Sequence, residues 1–240
     1  YASFQSNAAV YHDDYADYST NEPTMDGTAD FTYYLAAMES EAHRGMESQA
    51  PLRRDHGAVV RGPDVPQISL VFTGHEFAES YPVIRSTLKK HGISGSFFLT
   101  GDFYRNPRFR KVIAGLKQDG HYLGAHSDKH LLYCDWTRRD SLLVTKTAFI
   151  DDLKANYGAM KGAGIDPAAA RFFLPPYEWY NDSIAGWCRQ YGLQLINFTP
   201  GTTSNQDWTY PEPGQYYVSS DTIYARILHV EATQPGRLNG

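Results

Sequence analysis

Two histidines of this 240-residue chain have the spacing of a metal-binding pair. His126 and His130 stand in the run HSDKH, directly after a short apolar segment. If a helix begins there, residues four apart point to the same side of it, so two neutral imidazoles can bind one divalent ion. This spacing is common on protein surfaces, but its position after a predicted strand favours a metal site.

A third imidazole and a carboxylate follow the first apolar segment of the repeating part. That segment ends in TGHEF, which contains His75 and Glu76. Because the carboxyl ends of parallel strands meet at one edge of a sheet, we expect these residues to lie near His126 and His130. Taken singly, Glu76 is typical of a charge at a helix start and His75 of a hydrogen-bonded loop residue. Together the four residues predict a site of two histidines plus one ligand, with positions open to water.

Two later predicted strands lead into aromatic loops. The run LPPYEWYN contains two prolines, which force an extended exit from the strand, and then Tyr177, Glu178, Trp179 and Tyr180. We expect Trp179 and Tyr180 to form a stacking wall. A long polar loop, TPGTTSNQDW, ends in Asp207 and Trp208. Aromatic residues make up 14% of the chain, and although most of them belong in a core, rings in loops suit the apolar faces of sugars.

The elements that must position these residues are alternating strands and helices. From Ile68 onward, short apolar runs alternate with amphipathic helices, which is the pattern of β/α units on a parallel sheet. The fold class is α/β, and five strands are too few to close a barrel of the eight-stranded type. The sequence predicts strands over 68–73, 95–100, 121–125, 170–174 and 194–198, and helices over about 81–91, 107–118, 148–162, 183–191 and 220–231.

The first 67 residues differ in character from the rest. Residues 1–48 combine a tyrosine-rich lead-in with one amphipathic helix, on which Phe31, Tyr34, Leu35 and Met38 are spaced i, i+3, i+4 and i+7. Residues 49–67 carry prolines and glycines among charges without periodicity, which predicts a linker. We therefore expect a helical extension over 1–48, a linker over 49–67 and a β/α domain over 68–240.

Composition excludes several classes of partner. A formal charge of -5 and a pI near 6.0 provide no field that would attract nucleic acid. No apolar run approaches the roughly 20 residues that cross a bilayer, and Tyr1 begins no basic-then-apolar leader. Cys134 and Cys188 are too few for a disulfide scaffold or a thiolate zinc site.

The stretch from Ile68 to Gly240 resembles the polysaccharide deacetylases of carbohydrate esterase family 4, the NodB-like deacetylases. The run HSDKH matches the family's HSxxH metal motif, and RFFLPPY and the dipeptide Asp207-Trp208 are similar to two further motifs. The resemblance implies a distorted (β/α) barrel with fewer than eight strands. It also implies removal of acetyl groups from chitin, peptidoglycan or xylan with one divalent ion, which we expect to be zinc, with nickel or cobalt as alternatives. A secreted, periplasmic or cell-surface protein is expected on the same ground.

The chain departs from the family pattern at the residues that would act as base. In the family the first strand ends TFDDG, with one aspartate as general base and the next as metal ligand, whereas here it ends FTGHEF. One alignment makes His75 the base and Glu76 a ligand; the other makes His75 the ligand and leaves Gly74 where the base should be. Leu174 replaces the arginine that orients the base. Losing an anion and its cation together leaves no unpaired buried charge, and Glu178 is a candidate replacement base.

Both ends of the chain suggest neighbouring sequence. Relatives continue beyond an LNG-like turn into a strand that carries a histidine acid, so the domain, which stops at Gly240, is expected to be truncated. The run YHDDYADYSTNEPTMDGTA resembles the second signature of glycoside hydrolase family 9 but departs from it at Thr28. Glu22 matches that family's acid. Residues 1–48 are therefore expected to be the C-terminal remnant of a fused glycosidase. This remnant is too short to supply the helical barrel and the second carboxylate that the glycosidase needs for activity.

The leading hypothesis is a metal-dependent carbohydrate deacetylase domain acting on an acetylated polysaccharide. The ion would lie on His126, His130 and either Glu76 or His75, and would lower the pKa of its bound water. Either His75 or Glu178 would take the proton, and a backbone N–H near Tyr177 would help hold the oxyanion. The alternatives are an inactive barrel that binds glycan and a structural spacer. The substrate-binding candidates are Tyr177, Trp179, Tyr180, Asp207 and Trp208.

Overall fold

The computed structural model describes residues 27–29, 52–208 and 217–239. The predicted helix over residues 31–38 and the candidate acid Glu22 lie outside the described residues. None of the helices within the described ranges has the length and apolar character to cross a bilayer.

Strands and helices alternate along the chain as the apolar periodicity predicts. Each of the five predicted strands and five predicted helices from Ile68 onward has an observed counterpart. The strands and α-helices, in chain order, are β1 (Gly27–Ala29), β2 (Arg53–Asp55), β3 (Ala58–Arg61), β4 (Leu70–Gly74), α1 (Tyr81–His91), β5 (Ser96–Leu99), α2 (Gly101–Arg105), α3 (Arg110–Gln118), β6 (Tyr122–Ala125), α4 (Lys146–Gly162), β7 (Phe172–Phe173), α5 (Asp182–Gln190), β8 (Gln194–Leu195) and α6 (Ser220–Thr233).

The main sheet has six strands in the order β1-β4-β5-β6-β7-β8. Strands β4 to β8 run parallel, while β1 pairs antiparallel with β4 and places Gly27 opposite Phe72. Within the described ranges the sheet does not close into a barrel, because β1 and β8 stand at opposite ends of the strand order. The α/β class with a parallel sheet is thus confirmed.

The two faces of the sheet carry separate apolar clusters. Successive side chains of a strand point to opposite faces, so Phe97 belongs to the large core cluster and its neighbour Phe98 to the smaller one. The large cluster includes the buried apolar side chains of helices α1, α3, α4 and α5. We call the small one the inner cluster; its fully buried members are Val59, Val71, Phe98, Leu174 and Ile196.

The segment predicted as a linker, 49–67, contains a β-hairpin instead. β2 and β3 pair antiparallel, and Gly57 makes the turn with a φ of 80°, a left-handed conformation that glycine adopts without strain. Val59 forms a parallel bridge to Ile196, and the Val59 carbonyl accepts a 2.9 Å hydrogen bond from the Asn197 amide. The prediction of a linker therefore does not hold for residues 53–61. The short apolar run of β3 contributes Val59 to the inner cluster. Burial of this side chain stabilises the strand, although the surrounding glycines and prolines favour irregular structure.

Candidate active site at the carboxyl edge of the sheet

His126 follows β6 directly and lies at the carboxyl edge of the parallel sheet. Its side chain is buried, and the Nδ1 atom lies 2.8 Å from the Leu174 carbonyl oxygen. That bond requires a proton on Nδ1 and leaves the lone pair of Nε2 for another partner. Burial, reinforced by the neighbouring His130, lowers the pKa of His126 well below its usual value near 6.5. The imidazole is therefore neutral at pH 7, the form that binds metals.

The segment from His126 to His130 is irregular, and the predicted incipient helix is absent. Ser127 and His130 have left-handed φ angles of 70° and 54°, so tight turns bring His126 and His130 together. Asp152 of α4 stabilises these turns, because its carboxylate accepts hydrogen bonds from Ser127 Oγ at 2.8 Å and from the amides of Asp128 at 2.9 Å and Lys129 at 3.1 Å.

Asn156 lies one helical turn after Asp152 and fixes the backbone of His126. Its Oδ1 atom accepts a 3.0 Å hydrogen bond from the His126 amide, and its Nδ2 donates to the Leu99 carbonyl at 3.2 Å. The side chain is fully buried, so both bonds form away from water. Helix α4 therefore orients the first histidine through Asn156 and the loop after it through Asp152.

Three imidazole rings lie next to one another at this edge. The ring centroid of His130 is 5.1 Å from that of His126 and 5.0 Å from that of His75. His75 and His130 are stacked with an interplanar angle of 11°. Burial lowers the pKa of His130 to about 4, so this ring is also neutral at pH 7. The structure thus brings together the three histidines that the sequence analysis expected at this edge.

His75 and Glu76 form a pair at the solvent side of the cluster. The Nδ1 atom of His75 lies 3.1 Å from the Thr100 hydroxyl, and its Nε2 atom lies 3.7 Å from a carboxylate oxygen of Glu76. The Glu76 side chain is 66% exposed, against 30% for that of His75. Glu76 therefore lies beside His75, on the outer side of the three rings.

The donors at this edge fit a divalent ion in chemistry but do not complete a ligand set. His126 and His130 are neutral, and the bond from His126 Nδ1 to a backbone carbonyl is the outer-shell contact typical of metal-ligating histidines. Yet among the residues that the structure describes, no three His, Cys, Asp or Glu side chains are grouped so that they could hold one ion. The described residues therefore bring neutral imidazoles together but do not form a complete metal site.

The loop after β7 lies over the histidines with a strained backbone. Tyr177 and Glu178 follow the predicted pair of prolines and adopt left-handed φ angles of 60° and 49°. The Tyr177 ring contacts that of His130 edge-on at 4.5 Å, and the Glu178 carbonyl accepts a 2.9 Å hydrogen bond from Asn197 Nδ2. Left-handed conformations cost about 1–2 kcal/mol for residues with a Cβ. Such strain concentrates at binding and catalytic sites, which agrees with a functional role for this edge.

Leu174 takes part in the site through its backbone while its side chain packs in the inner cluster. The side chain is 1% exposed and packs with Phe98 and Ile196. Its carbonyl holds His126 Nδ1. An arginine at this position would place its charge in an apolar cluster, and β4 ends nearby in Thr73 and Gly74, which offer no carboxylate as partner.

The predicted aromatic wall is only partly assembled. Trp179 is half-buried; its Nε1 donates to the Asp135 carbonyl at 3.1 Å, and its ring stacks on that of Trp136 with centroids 5.7 Å apart. Tyr180, in contrast, is fully buried and its hydroxyl donates to the Asp55 carbonyl at 3.2 Å. The Tyr180 ring is therefore out of reach of a substrate and belongs to the core.

The last two predicted substrate-binding residues are Asp207 and Trp208. Asp207 is part of a short 3-10 turn and is half-buried, while the side chain of Trp208 lies outside the part of the chain that the structure describes. Sequence reasoning missed Asp152, Asn156 and Trp136. The i, i+4 spacing of Asp152 and Asn156 on a helix otherwise expected to bury apolar residues was the available signal.

Fold and site together define an α/β protein with a histidine-lined site at the carboxyl edge of a parallel sheet. The sequence profile of the family described as Polysaccharide deacetylase matches residues 62–196, more than half of the chain. The chain therefore belongs to the polysaccharide deacetylase family, the carbohydrate esterases of family 4.

Curated relatives agree with this assignment. The chain is 26% identical over 162 residues to the peptidoglycan-N-acetylglucosamine deacetylase PgdA of Listeria monocytogenes, covering 65% of this chain and 31% of that protein. It is 23% identical over 163 residues to a peptidoglycan-N-acetylglucosamine deacetylase of Bacillus cereus, covering 68% of this chain and 51% of that protein. The chain thus spans about a third of the length of the first relative and about half of the length of the second.

Among solved structures, the chain is similar to BA3943 of Bacillus anthracis, a CE4 family pseudoenzyme. The TM-score is 0.54 at 23% identity, with 73% of this chain and 55% of that chain covered. At this identity the likeness concerns the fold.

Proposed function

We propose that this chain removes acetyl groups from a polysaccharide with the help of a divalent metal ion held by His126 and His130. The observation that supports this most is the cluster of three imidazoles, of which His126 and His130 are neutral, at the carboxyl edge of the sheet of a chain that belongs to the deacetylase family. The chemistry that such an ion would supply is polarisation of the acetyl carbonyl and a lower pKa for the attacking water, so that the water can give up a proton near neutral pH. Zinc is the first expectation for two imidazole ligands, with nickel and cobalt as alternatives.

In this proposal His75 takes the proton of the attacking water. Its ring lies against that of His130, its Nδ1 atom is within hydrogen-bond distance of Thr100, and its Nε2 atom faces the Glu76 carboxylate. Glu178 is the second candidate for this role. Tyr177, which contacts His130, would supply the backbone amide near the oxyanion.

The names of two relatives support the proposed substrate class. Two of them are named as peptidoglycan-N-acetylglucosamine deacetylases, so we propose an acetylated polysaccharide of the cell wall or of plant biomass as substrate. Such a polymer lies outside the cytoplasm, and we propose a secreted or cell-surface location. We retain as a proposal that the domain natively follows a family 9 glycosidase, on the resemblance around Glu22.

A second candidate function is glycan binding without hydrolysis. It is favoured by the end of β4, where Thr73 and Gly74 offer no carboxylate base, and by Leu174, whose apolar side chain is buried. In this case the aromatic loop after β7 would still hold sugar, while the histidines would serve structure alone.

Metal binding is tested first, on dialysed protein titrated with Zn²⁺, Ni²⁺ or Co²⁺ in a calorimeter. We expect one ion per chain, and a loss of affinity of roughly a hundredfold or more in His126→Ala and His130→Ala, because each removes a ligand. His229→Ala, which changes an exposed histidine of α6, is the matched control and keeps full affinity. Equal binding by all four proteins would refute the metal site. Glu76→Gln and His75→Asn show which side chain is the third ligand, because only its loss weakens binding.

Acetate release then separates the two candidate functions. Acetylated xylan and chitin oligosaccharides are incubated with the metal-loaded chain, with and without a chelator, and acetate is quantified. We expect chelator-sensitive release that falls by about 10²–10⁴ in His75→Asn if His75 is the base. Glycan binding without any acetate release would instead support the second candidate.

A further inference from the structure

We infer that Trp136 forms a distal sugar-binding position of this site, on which a pyranose ring of the polysaccharide stacks while the acetylated sugar lies at the histidines. The inference rests on the proposed function for the location of the acetylated sugar. It adds a residue that lies outside the recognised motifs and determines the length of glycan that the site prefers.

A continuous line of rings leads from the histidines to Trp136. The centroid of His130 is 4.5 Å from that of Tyr177, which in turn is 5.6 Å from that of Trp136. The Trp136 ring therefore lies within about 10 Å of His130, a distance that a short oligosaccharide spans. Tyr177 joins the two ends of the line, since it contacts both rings edge-on.

Both rings that lead away from His130 are accessible. Trp136 is 55% exposed and Tyr177 is 45% exposed. Trp136 is thus a large apolar side chain open to solvent directly beside a polar site, at the cost of leaving an indole in water. Indole faces match the apolar C–H face of an uncharged sugar ring, while the ring's hydroxyls remain free for water and polar neighbours.

Trp179 stacks on one face of the Trp136 indole. The two indoles stack with an interplanar angle of 25°, and the guanidinium carbon of Arg139 lies 4.6 Å from the Trp179 ring centroid. Arg139 is itself fixed, because its Nε donates to the Tyr180 carbonyl at 2.6 Å. Trp179 is therefore engaged by its neighbours, and we assign it to positioning Trp136 while Trp136 offers its face to the sugar.

Hydrogen bonds hold the loop that carries Trp136 in a defined turn. The Asp135 carboxylate accepts hydrogen bonds from the Thr137 amide at 2.9 Å and the Arg138 amide at 2.7 Å, which closes a turn around Trp136. The Asp135 amide donates to the Ser141 carbonyl at 2.9 Å, and the backbones of Cys134 and Leu142 form an antiparallel β-bridge. A ring fixed in advance loses little conformational entropy on binding.

The test compares Trp136→Ala and Trp136→Leu with the unchanged chain on acetylated oligosaccharides of one to six sugars. We expect the unchanged chain to favour the longer oligomers. Both variants should lose about five- to tenfold of that advantage in kcat/KM, mainly through KM, because an indole–sugar stack is lost. The leucine variant keeps an apolar side chain of useful size, so it reports on the ring even if the alanine variant folds poorly. Trp136→Phe, which keeps a smaller ring, should retain part of the advantage.

Leu143→Ala is the matched control, because Leu143 is 53% exposed on the same loop but is not part of the line of rings. If Trp136→Leu behaves like Leu143→Ala at every chain length, the inference is wrong. Calorimetric binding of the same oligomers separates this result from failure of the proposed function. A chain that releases no acetate but loses long-oligomer affinity in Trp136→Leu keeps the sugar position and loses the deacetylase proposal.

Discussion

At the scale of single residues, Gly101 shows how closely the histidine loop is packed against its neighbours. A Cβ atom at this position would lie 1.8 Å from Asp128 Oδ1. Asp128 is buried inside the HSDKH run and forms a bidentate pair with Arg105 at 2.6 and 2.9 Å. Glycine at the start of α2 therefore lets this ion pair form directly beside the site.

We predict that Gly101→Ala lowers the free energy of unfolding by about 1–3 kcal/mol, because the added methyl group displaces the Asp128 carboxylate. Gly158→Ala is the control, since nothing lies within 4 Å of the corresponding Cβ on helix α4, and it should gain about 0.5–1 kcal/mol. Urea unfolding of both variants measures the difference. The loss should shrink when Gly101→Ala is made in an Asp128→Ala background, and an unchanged loss there would contradict the clash.

The sequence predicted which histidines meet, but not how they do so. The HSxxH spacing and the β/α order were enough to bring His75, His126 and His130 to one edge. The helix assumed for the pair is replaced by left-handed turns at Ser127 and His130. Such turns at residues other than glycine have no dependable signal in a sequence, because a surrounding network must hold them against their own preference.

At the scale of elements, helix α4 is the support of the site. The Asp152 carboxylate accepts three hydrogen bonds from the loop that joins the two histidines and also lies 3.3 Å from the Tyr133 hydroxyl. Asp152 is 8% exposed, so water can hardly replace it as the hydrogen-bond acceptor for these donors. A carboxylate, which only accepts, is suited to a cluster of donors.

We predict that Asp152→Asn destabilises the fold by about 1–3 kcal/mol and weakens Zn²⁺ binding, because the amide group brings donors to a place that requires acceptors. Asp151→Asn, one position earlier and exposed, should stay within about 0.5 kcal/mol. Urea unfolding and zinc titration of both proteins measure the two effects. Equal behaviour of the two variants would show that Asp152 does not support the loop.

The long periodic elements were predicted well, whereas helix α2 and the hairpin of β2 and β3 were missed. Helix α1 was predicted with the bounds that it has, Tyr81–His91, because its apolar positions repeat over three turns. Helix α2 has five residues and its start depends on Thr100, whose hydroxyl accepts from the Phe103 amide. An element of that length shows no period. The hairpin of β2 and β3 was mistaken for a linker for the same reason.

At the scale of the whole molecule, the hairpin of β2 and β3 packs against the end of the main sheet next to β8. β3 is joined to the segment after β8 by the parallel bridge of Val59 to Ile196 and by a 2.8 Å hydrogen bond from the Thr199 hydroxyl to the Val60 carbonyl. The Arg61 guanidinium reaches the Asn239 carbonyl at 2.6 Å. Segments distant in sequence thus meet at this edge, which favours one cooperative unit that includes residues 53–61.

Val59 tests this unity, because it is fully buried in the inner cluster while lying in the hairpin. We predict that Val59→Ser lowers the free energy of unfolding of the entire domain by about 1–3 kcal/mol, since a hydroxyl is buried in an apolar cluster. Urea unfolding should show a single transition shifted to lower denaturant. Val83→Ser, which changes a valine 39% exposed on α1, should stay within about 0.5 kcal/mol. If the hairpin were an independent linker, Val59→Ser would leave the unfolding transition where it is. A single shifted transition instead means that a loss of packing at the hairpin also lowers the stability of the strands that precede His75 and His126.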